Sequence, residues 1–260
     1  MTTALPRDLQ SALGAFAVRD TILIALDFDG TLAPLVDDPE ASRMITPARL
    51  ALEELTEMAG VTIALVTGRA IDSIMRVSEP LEAWYLVGSH GIEVVSPGEL
   101  RNYETPWVVP EALTSAFVTV VDAHPGSRLE QKPFGLALHT RGVDPVIAAA
   151  AETAAHEVCA SWGGDLAVRT GHGIVECSIH HATKADGLEE IQKRVTPDAT
   201  LFAGDDTTDE DGFGVLRPSD VAIRVGGGET IAPYGLADAS AVAEALWFIH
   251  SRRSSATAGS

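Results

Sequence analysis

The stretch Thr21-Ile22-Leu23-Ile24-Ala25-Leu26-Asp27-Phe28-Asp29-Gly30-Thr31 decides how this chain folds. Its first half is β-prone and almost wholly apolar, which predicts a buried strand. The strand delivers two carboxylates, those of Asp27 and Asp29, onto a glycine turn. Two acids at such a place suit an aspartyl nucleophile, a neighbouring acid/base and a hard metal ion.

Strands and helices alternate on both sides of this stretch, and the apolar runs of the strands are nearly continuous. This alternation predicts an α/β fold whose core is a doubly wound, Rossmann-like parallel sheet with helices on both faces. The further strands of the predicted sheet cover 61–66, 84–88, 200–204 and 221–225.

The pattern changes in the middle of the chain. There, a helix followed by two closely spaced strands occurs twice, and short turns between adjacent strands imply antiparallel pairing. We therefore predict two domains. Residues 1–105 and 183–260 form a discontinuous core, and residues 106–182 form an inserted α+β cap domain.

Composition limits the classes of partner. The chain has 260 residues, of which 46% are hydrophobic, and its formal net charge of -19 disfavours binding to nucleic acid or to an anionic membrane. No apolar run approaches the length that spans a bilayer, and no secretory signal is visible. Cys159 and Cys177 stand in apolar contexts, which favours reduced thiols and a cytoplasmic location. We expect a monomer that acts on a small molecule.

Polar residues gather where the predicted strands end. Ligands of open parallel sheets bind beyond the carboxyl ends of the strands, so we expect these residues on one rim of the core. They are Asp27 and Asp29 after the first strand, Thr67 and Arg69 after the second, Asp205 after the strand 200–204, and Lys184 at the start of a helix.

The spacing of these residues resembles that of the haloacid dehalogenase superfamily of phosphotransferases. The matching motifs are Asp27-x-Asp29-Gly30-Thr31, Thr67, Lys184 and Gly204-Asp205-Asp206-x-x-Asp209. Outside this minimum, Gly88-Ser89-His90-Gly91-Ile92-Glu93, Glu130-x-Lys132 and Glu176 resemble trehalose-6-phosphate phosphatases. The resemblance implies a core of the haloacid dehalogenase type with an inserted cap.

The resemblance also implies roles for the residues of the core. Asp27 would attack phosphorus and form an aspartyl-phosphate, while Asp29 would serve first as acid and then as base. Thr67 would hydrogen-bond a phosphate oxygen, and Lys184 would offset the clustered negative charges. Mg²⁺ would be held by the Asp27 carboxylate, the main-chain carbonyl of Asp29 and the Asp205 carboxylate.

Substrate recognition is expected to involve both domains. Arg69 of the core is assigned to substrate binding, and Glu130, Lys132 and Glu176 of the cap would bind sugar hydroxyls. Together these residues predict Mg²⁺-dependent hydrolysis of trehalose 6-phosphate to trehalose and inorganic phosphate. Two alternatives stay open at this point. One is a phosphatase for another glycosyl phosphate, such as mannosylglycerate phosphate or sucrose phosphate, and the other is a catalytically silent sugar-phosphate sensor.

Overall fold

The computed structural model of the chain describes residues 5–163 and 166–257. These residues form two compact units. The first contains the described residues up to Tyr103 and from Ala182 onward, and the second is Glu104–His181. The cap domain predicted at 106–182 overlaps the second unit over almost its whole length.

The first unit is built around one twisted sheet, and its elements are numbered along the whole chain. Its strands are β1 (Ile22–Leu26), β2 (Val61–Val66), β3 (Tyr85–Gly88), β4 (Glu93–Val95), β9 (Ala199–Gly204), β10 (Val221–Val225) and β11 (Tyr234–Leu236). Its helices are α1 (Arg7–Ala17), α2 (Thr46–Thr56), α3 (Ile71–Ser78), α6 (Lys184–Val195), α7 (Asp209–Gly214) and α8 (Ala239–Thr257).

The strand order of this sheet is β11-β10-β9-β1-β2-β3-β4. Every neighbouring pair is parallel except β3 and β4. Helices α1, α2, α3 and α8 pack on one face, and α6 and α7 pack on the other. The predicted α/β fold with a doubly wound parallel sheet is thus confirmed, while the two short edge strands β4 and β11 were not predicted.

The central strand β1 explains why its sequence is continuously apolar. All five of its residues are buried. Ile22, Ile24 and Leu26 join the hydrophobic cluster on one face of the sheet, whereas Leu23 and Ala25 join the cluster on the other. Since successive side chains of a strand point to opposite faces, both faces must be apolar. Burying each of the larger side chains stabilises the fold by about 1.5–3 kcal/mol.

The second unit is a small α+β structure. Its elements are α4 (Glu111–Ala123), β5 (Arg128–Lys132), β6 (Gly135–His139), α5 (Pro145–Ser161), β7 (Ala167–Gly171) and β8 (Ile174–Ser178). The strands pair antiparallel in the order β5-β6-β8-β7. One face of this sheet forms an apolar core with residues of α4 and α5. The other face carries the charged side chains described below.

None of the helices in the described part of the chain combines the length and the apolar character that crossing a membrane requires.

Candidate active site

Three neighbouring strands of the first unit, β9, β1 and β2, end at the candidate site. Asp27 directly follows β1, Thr67 follows β2, and Asp205 follows β9. The parallel pairing continues past the end of β1, because the backbone N–H of Asp27 donates to the carbonyl of Ala203 at 2.9 Å. The sheet therefore brings together residues that are far apart in the sequence.

Lys184 supplies a buried cation to this site. Its ammonium group donates to Asp27 Oδ1 at 2.8 Å and to Asp209 Oδ1 at 2.7 Å, and its side chain is only 3% exposed. The residue begins α6, where Asp186 accepts the backbone N–H of Thr183 at 2.8 Å. This hydrogen bond caps the helix and fixes the turn from which Lys184 reaches the two carboxylates.

The charges of this group determine one another's protonation. Burial raises the pKa of Asp27 well above its usual range, the attraction of Lys184 opposes the shift, and repulsion by Asp209 adds to it. Burial acts to lower the pKa of Lys184, but the charges of Asp27 and Asp209 outweigh it, and that pKa is raised. The acids outnumber the lysine, which is the electrostatic condition that favours binding of a further cation.

Asp205 completes a cluster of three carboxylates. Burial and the charge of Asp209 raise the pKa of Asp205 to about 6. Oxygen atoms of Asp27, Asp205 and Asp209 lie within 4.8 Å of one another. Carboxylate oxygens are the donors that Mg²⁺ prefers, so the chemistry and spacing of this cluster fit a divalent metal ion.

Gly30 makes room for the carboxylate of Asp205. A Cβ atom at Gly30 would lie 2.0 Å from Asp205 Oδ2, which is far inside van der Waals contact. The backbone φ of Gly30 is also +81°, a region that favours glycine. The glycine of the opening motif therefore serves the site in two ways, by its backbone angle and by its missing side chain.

Asp209 engages both of its carboxylate oxygens within the protein. Oδ1 accepts from Lys184, and Oδ2 accepts the backbone N–H of Asp206 at 2.9 Å. The residue is fully buried and packs on Gly204, where a Cβ atom would lie 2.1 Å from its Cγ. Asp209 therefore holds the ammonium group of Lys184 through a buried ion pair.

Asp29 and Arg69 form an ion pair with each other. Arg69 Nη2 donates to Asp29 Oδ1 at 2.8 Å, and Arg69 Nε donates to Oδ2. Ser42 Oγ also donates to Asp29 Oδ1, at 2.8 Å. The sequence assigned Asp29 to acid/base chemistry and to metal binding through its carbonyl, and assigned Arg69 to the substrate. The sequence analysis predicted neither the Asp29–Arg69 ion pair nor the hydrogen bond from Ser42. These partners are 40 and 13 residues from Asp29 in the sequence, and motif spacing carries no signal for such contacts.

Two buried threonine hydroxyls line the same loops. Thr67 is 2% exposed, and its Oγ1 accepts the backbone N–H of Arg69 at 3.2 Å. Thr31 is fully buried, and its Oγ1 has no hydrogen-bond partner within the described part of the chain. The motif Asp27-x-Asp29-Gly30-Thr31 gave Thr31 no role, yet its buried hydroxyl has unused hydrogen-bonding capacity, which is uncommon in folded proteins.

The predicted sugar ligands share one face of the second unit's sheet. Glu130 and Glu176 are both register partners of Ala137, on opposite sides of β6. Lys132 donates to Glu176 at 2.6 Å, and Glu130 contacts His139 Nε2 at 2.7 Å. The small side chain of Ala137 thus separates two carboxylates that each have a partner. The sequence did not predict the contact with His139.

The sequence of this chain is similar to those of known phosphatases. The family model described as trehalose-phosphatase matches residues 25–238. A trehalose-phosphate phosphatase of Mycobacterium marinum is 33% identical over 91% of this chain and 65% of its own length. A bifunctional trehalose-6-phosphate synthase/phosphatase of Thermoproteus tenax is 30% identical over 86% of this chain and 31% of its own length. The chain therefore spans less than two thirds of these relatives.

Solved structures share the fold at lower identity. The C-terminal domain of Candida albicans trehalose-6-phosphate phosphatase has a TM-score of 0.76 and 22% identity, over 96% of this chain and 99% of that one. A haloacid dehalogenase-like hydrolase from Bacteroides thetaiotaomicron has a TM-score of 0.64 and 16% identity, over 88% of this chain and 99% of that one. Since the family model covers most of its length, the chain belongs to the trehalose-phosphatase family.

Proposed function

We propose that this protein is a Mg²⁺-dependent phosphatase that hydrolyses trehalose 6-phosphate to trehalose and inorganic phosphate through an aspartyl-phosphate. The observation that carries the proposal is the buried contact of Lys184 with Asp27 and Asp209, beside Asp205, in a chain of the trehalose-phosphatase family. Such an arrangement offers a nucleophile, a fixed cation and metal ligands at one place.

Asp27 is the proposed nucleophile. Its Oδ1 accepts from Lys184, so the lysine orients the carboxylate and favours its ionised form. Attack of a carboxylate oxygen on phosphorus breaks the bond to the sugar oxygen and leaves an acyl phosphate on Asp27. The positive charge of Lys184 also stabilises the negative charge of the transferring phosphoryl group.

The donor set described above supports a bound Mg²⁺. Asp27, Asp205 and the main-chain carbonyl of Asp29 would hold the ion, while Asp209 would keep Lys184 in place. When bound, Mg²⁺ neutralises charge on the phosphate oxygens and so favours nucleophilic attack on phosphorus.

Asp29 is the proposed acid and base. It would give a proton to the departing sugar oxygen and later take one from the water that hydrolyses the aspartyl-phosphate. Arg69 donates to both carboxylate oxygens of Asp29, so the pair must separate before Asp29 can give a proton to the sugar oxygen. A phosphate group is a competing bidentate partner for a guanidinium, and we infer that Arg69 moves to the substrate phosphate when it binds. Thr67 would donate its hydroxyl to another phosphate oxygen.

The charged face of the second unit is the proposed sugar site. Glu130, Lys132 and Glu176 offer both acceptors and donors to sugar hydroxyls. A phosphatase for another glycosyl phosphate is the remaining candidate within this class. A silent sensor is disfavoured because Asp27, Lys184 and Asp205 are all present and brought together. The monomeric state and the cytoplasmic location stay predictions.

The test is phosphate release from a panel of sugar phosphates, with Mg²⁺ and with EDTA. We expect release from trehalose 6-phosphate only with Mg²⁺, and none from Asp27→Asn, which is nearly isosteric and should fold. Glu130→Ala and Glu176→Ala should lower activity on trehalose 6-phosphate but not on a small aryl phosphate. Equal rates on unrelated sugars would contradict the substrate, and activity in Asp27→Asn would contradict the mechanism.

A further inference from the structure

The loop that connects β3 to β4 has a backbone that ordinary residues avoid. Ser89, His90 and Gly91 follow one another with φ angles of +49°, +56° and +107°. Only the glycine adopts such an angle readily, and each of the other two costs about 1–3 kcal/mol of strain. Strain of this size persists only where surrounding contacts hold the backbone in place.

Glu93, the first residue of β4, provides such contacts. Its side chain is buried, with the residue 2% exposed. Oε2 accepts from Ser89 Oγ and from the backbone N–H of Ile71 at 3.3 Å, and Oε1 accepts from the hydroxyl of Tyr103 at 2.8 Å. Burial, this hydrogen bond and the charge of Glu93 together raise the pKa of Tyr103. One carboxylate thus joins the strained loop, the start of α3 and the last residue of the first unit before the chain enters the second.

The same loop contacts two segments of the candidate active site. The backbone N–H of Ser89 donates to the carbonyl of Arg69 at 2.7 Å, and that of His90 donates to the carbonyl of Thr67 at 3.1 Å. The loop therefore fixes the backbone from which the Thr67 hydroxyl and the Arg69 guanidinium extend.

Its third residue packs against the helix that carries the catalytic lysine. A Cβ atom at Gly91 would lie 2.1 Å from the carbonyl oxygen of Thr183 and 3.1 Å from the backbone nitrogen of Gly187. These atoms belong to the first turn of α6 and to the residue before it, so this close contact sets the position of the turn that begins with Lys184.

We propose that Glu93 is a positioning residue for the phosphatase reaction, an inference that rests on the proposed function. It acts through the 89–91 loop, which it holds in the strained conformation that places Thr67, Arg69 and Lys184 relative to one another. A carboxylate suits this role because it accepts three hydrogen bonds at once. A glutamine would present one acceptor oxygen and one NH₂ group to the same three donors.

The kinetic test compares Glu93→Gln with the wild-type protein on trehalose 6-phosphate in saturating Mg²⁺. Misplacement of reacting groups lowers turnover more than binding, so we expect kcat to fall by about 10- to 100-fold while KM stays within about threefold. Tyr103→Phe, which removes one of the three donors, should lower kcat less. Glu99→Gln is the matched control, because Glu99 lies on the same stretch of chain but is exposed and accepts the backbone N–H of Ser96. It should behave as wild type.

A second measurement needs no substrate. Amide hydrogen exchange of the folded protein should become faster in Glu93→Gln at residues 67–70 and 183–188, as well as at 89–93, and should stay unchanged in Glu99→Gln. If the wild-type protein is active and Glu93→Gln has the same kcat, the inference is overturned. It is also overturned if exchange becomes faster only at residues 89–95. If the wild-type protein releases no phosphate from any sugar phosphate, the proposed function fails, and exchange alone decides the role of Glu93. Should Glu93→Gln not fold, Tyr103→Phe decides it by the same two measurements.

Discussion

Removal of the buried lysine charge should destabilise the first unit strongly, and the loss should depend on pH. In Lys184→Met the side chain keeps nearly its length, but Asp27 and Asp209 lose the cation that lies 2.8 Å and 2.7 Å from them. Side chains of both acids are at most 5% exposed, so water cannot replace the ammonium. Breaking a buried pair on one side costs about 3–5 kcal/mol.

Acid should partly restore the stability of this variant. Burial already raises the pKa of Asp27, and Lys184 opposes that shift, so its removal raises the pKa further. A carboxyl group with a higher pKa in the folded than in the unfolded protein binds more protons when folded, so stability rises as pH falls from the folded-state pKa towards the unfolded-state pKa. The loss of unfolding free energy in Lys184→Met, relative to the wild-type protein, should therefore be largest near pH 7 and should shrink towards pH 5.

Urea unfolding followed by circular dichroism, in EDTA, measures this effect. Lys193→Met is the matched control, because Lys193 lies on the same helix, is 68% exposed and pairs with Glu189 at 3.4 Å. Exposed pairs of this kind contribute about 0–1 kcal/mol. The electrostatic reasoning would be refuted if Lys184→Met lost no more stability than Lys193→Met, or if its deficit grew on acidification.

Three further predictions concern the metal and the acid/base pair. Gly30→Ala should weaken Mg²⁺ binding by at least tenfold in titration calorimetry, because its Cβ would displace the Asp205 carboxylate; unchanged affinity would contradict the packing. Since the pKa of Asp205 is raised to about 6, Mg²⁺ affinity should fall as pH drops through 6, because the ion competes with a proton; a flat profile between pH 5 and 7 would exclude Asp205 as a ligand. Arg69→Lys should lower kcat/KM by about 10- to 100-fold, because lysine cannot replace a bidentate contact; a wild-type value would mean that Arg69 serves Asp29 alone.

The fold was predictable wherever the apolar pattern was strong. Strand β1 is buried on both faces, so its composition is unmistakable. Strand β4 escaped prediction because it is three residues long and begins with Glu93, whose burial depends on hydrogen bonds rather than on apolar packing. Strand β11 is equally short. Such edge strands are defined by the pairing of their neighbours, which a local pattern does not contain.

The site was predictable where topology alone brings residues together. Residues at the ends of adjacent parallel strands converge by geometry, and that covers Asp27, Thr67 and Asp205. The partner of each side chain within the site was harder to predict. The sequence alone allows the Asp29 carboxylate to bind a metal ion, to be protonated or to form an ion pair with a guanidinium. Only the three-dimensional positions of Ser42 and Arg69 show that it forms the ion pair in this structure.

The charged face of the second unit, proposed above as the sugar site, is held together by weak interactions. Lys132 and Glu176 are 21% and 15% exposed in their side chains, and Glu130 is 50% exposed. Ion pairs near the surface contribute about 0–1 kcal/mol each, so these charges add little to the stability of the unit. For the same reason, their hydrogen bonds can be exchanged for bonds to a hydroxylated ligand at small cost. Apolar residues would have stabilised this sheet more than carboxylates on both sides of Ala137 do. The charged face therefore fits the proposed role in sugar recognition.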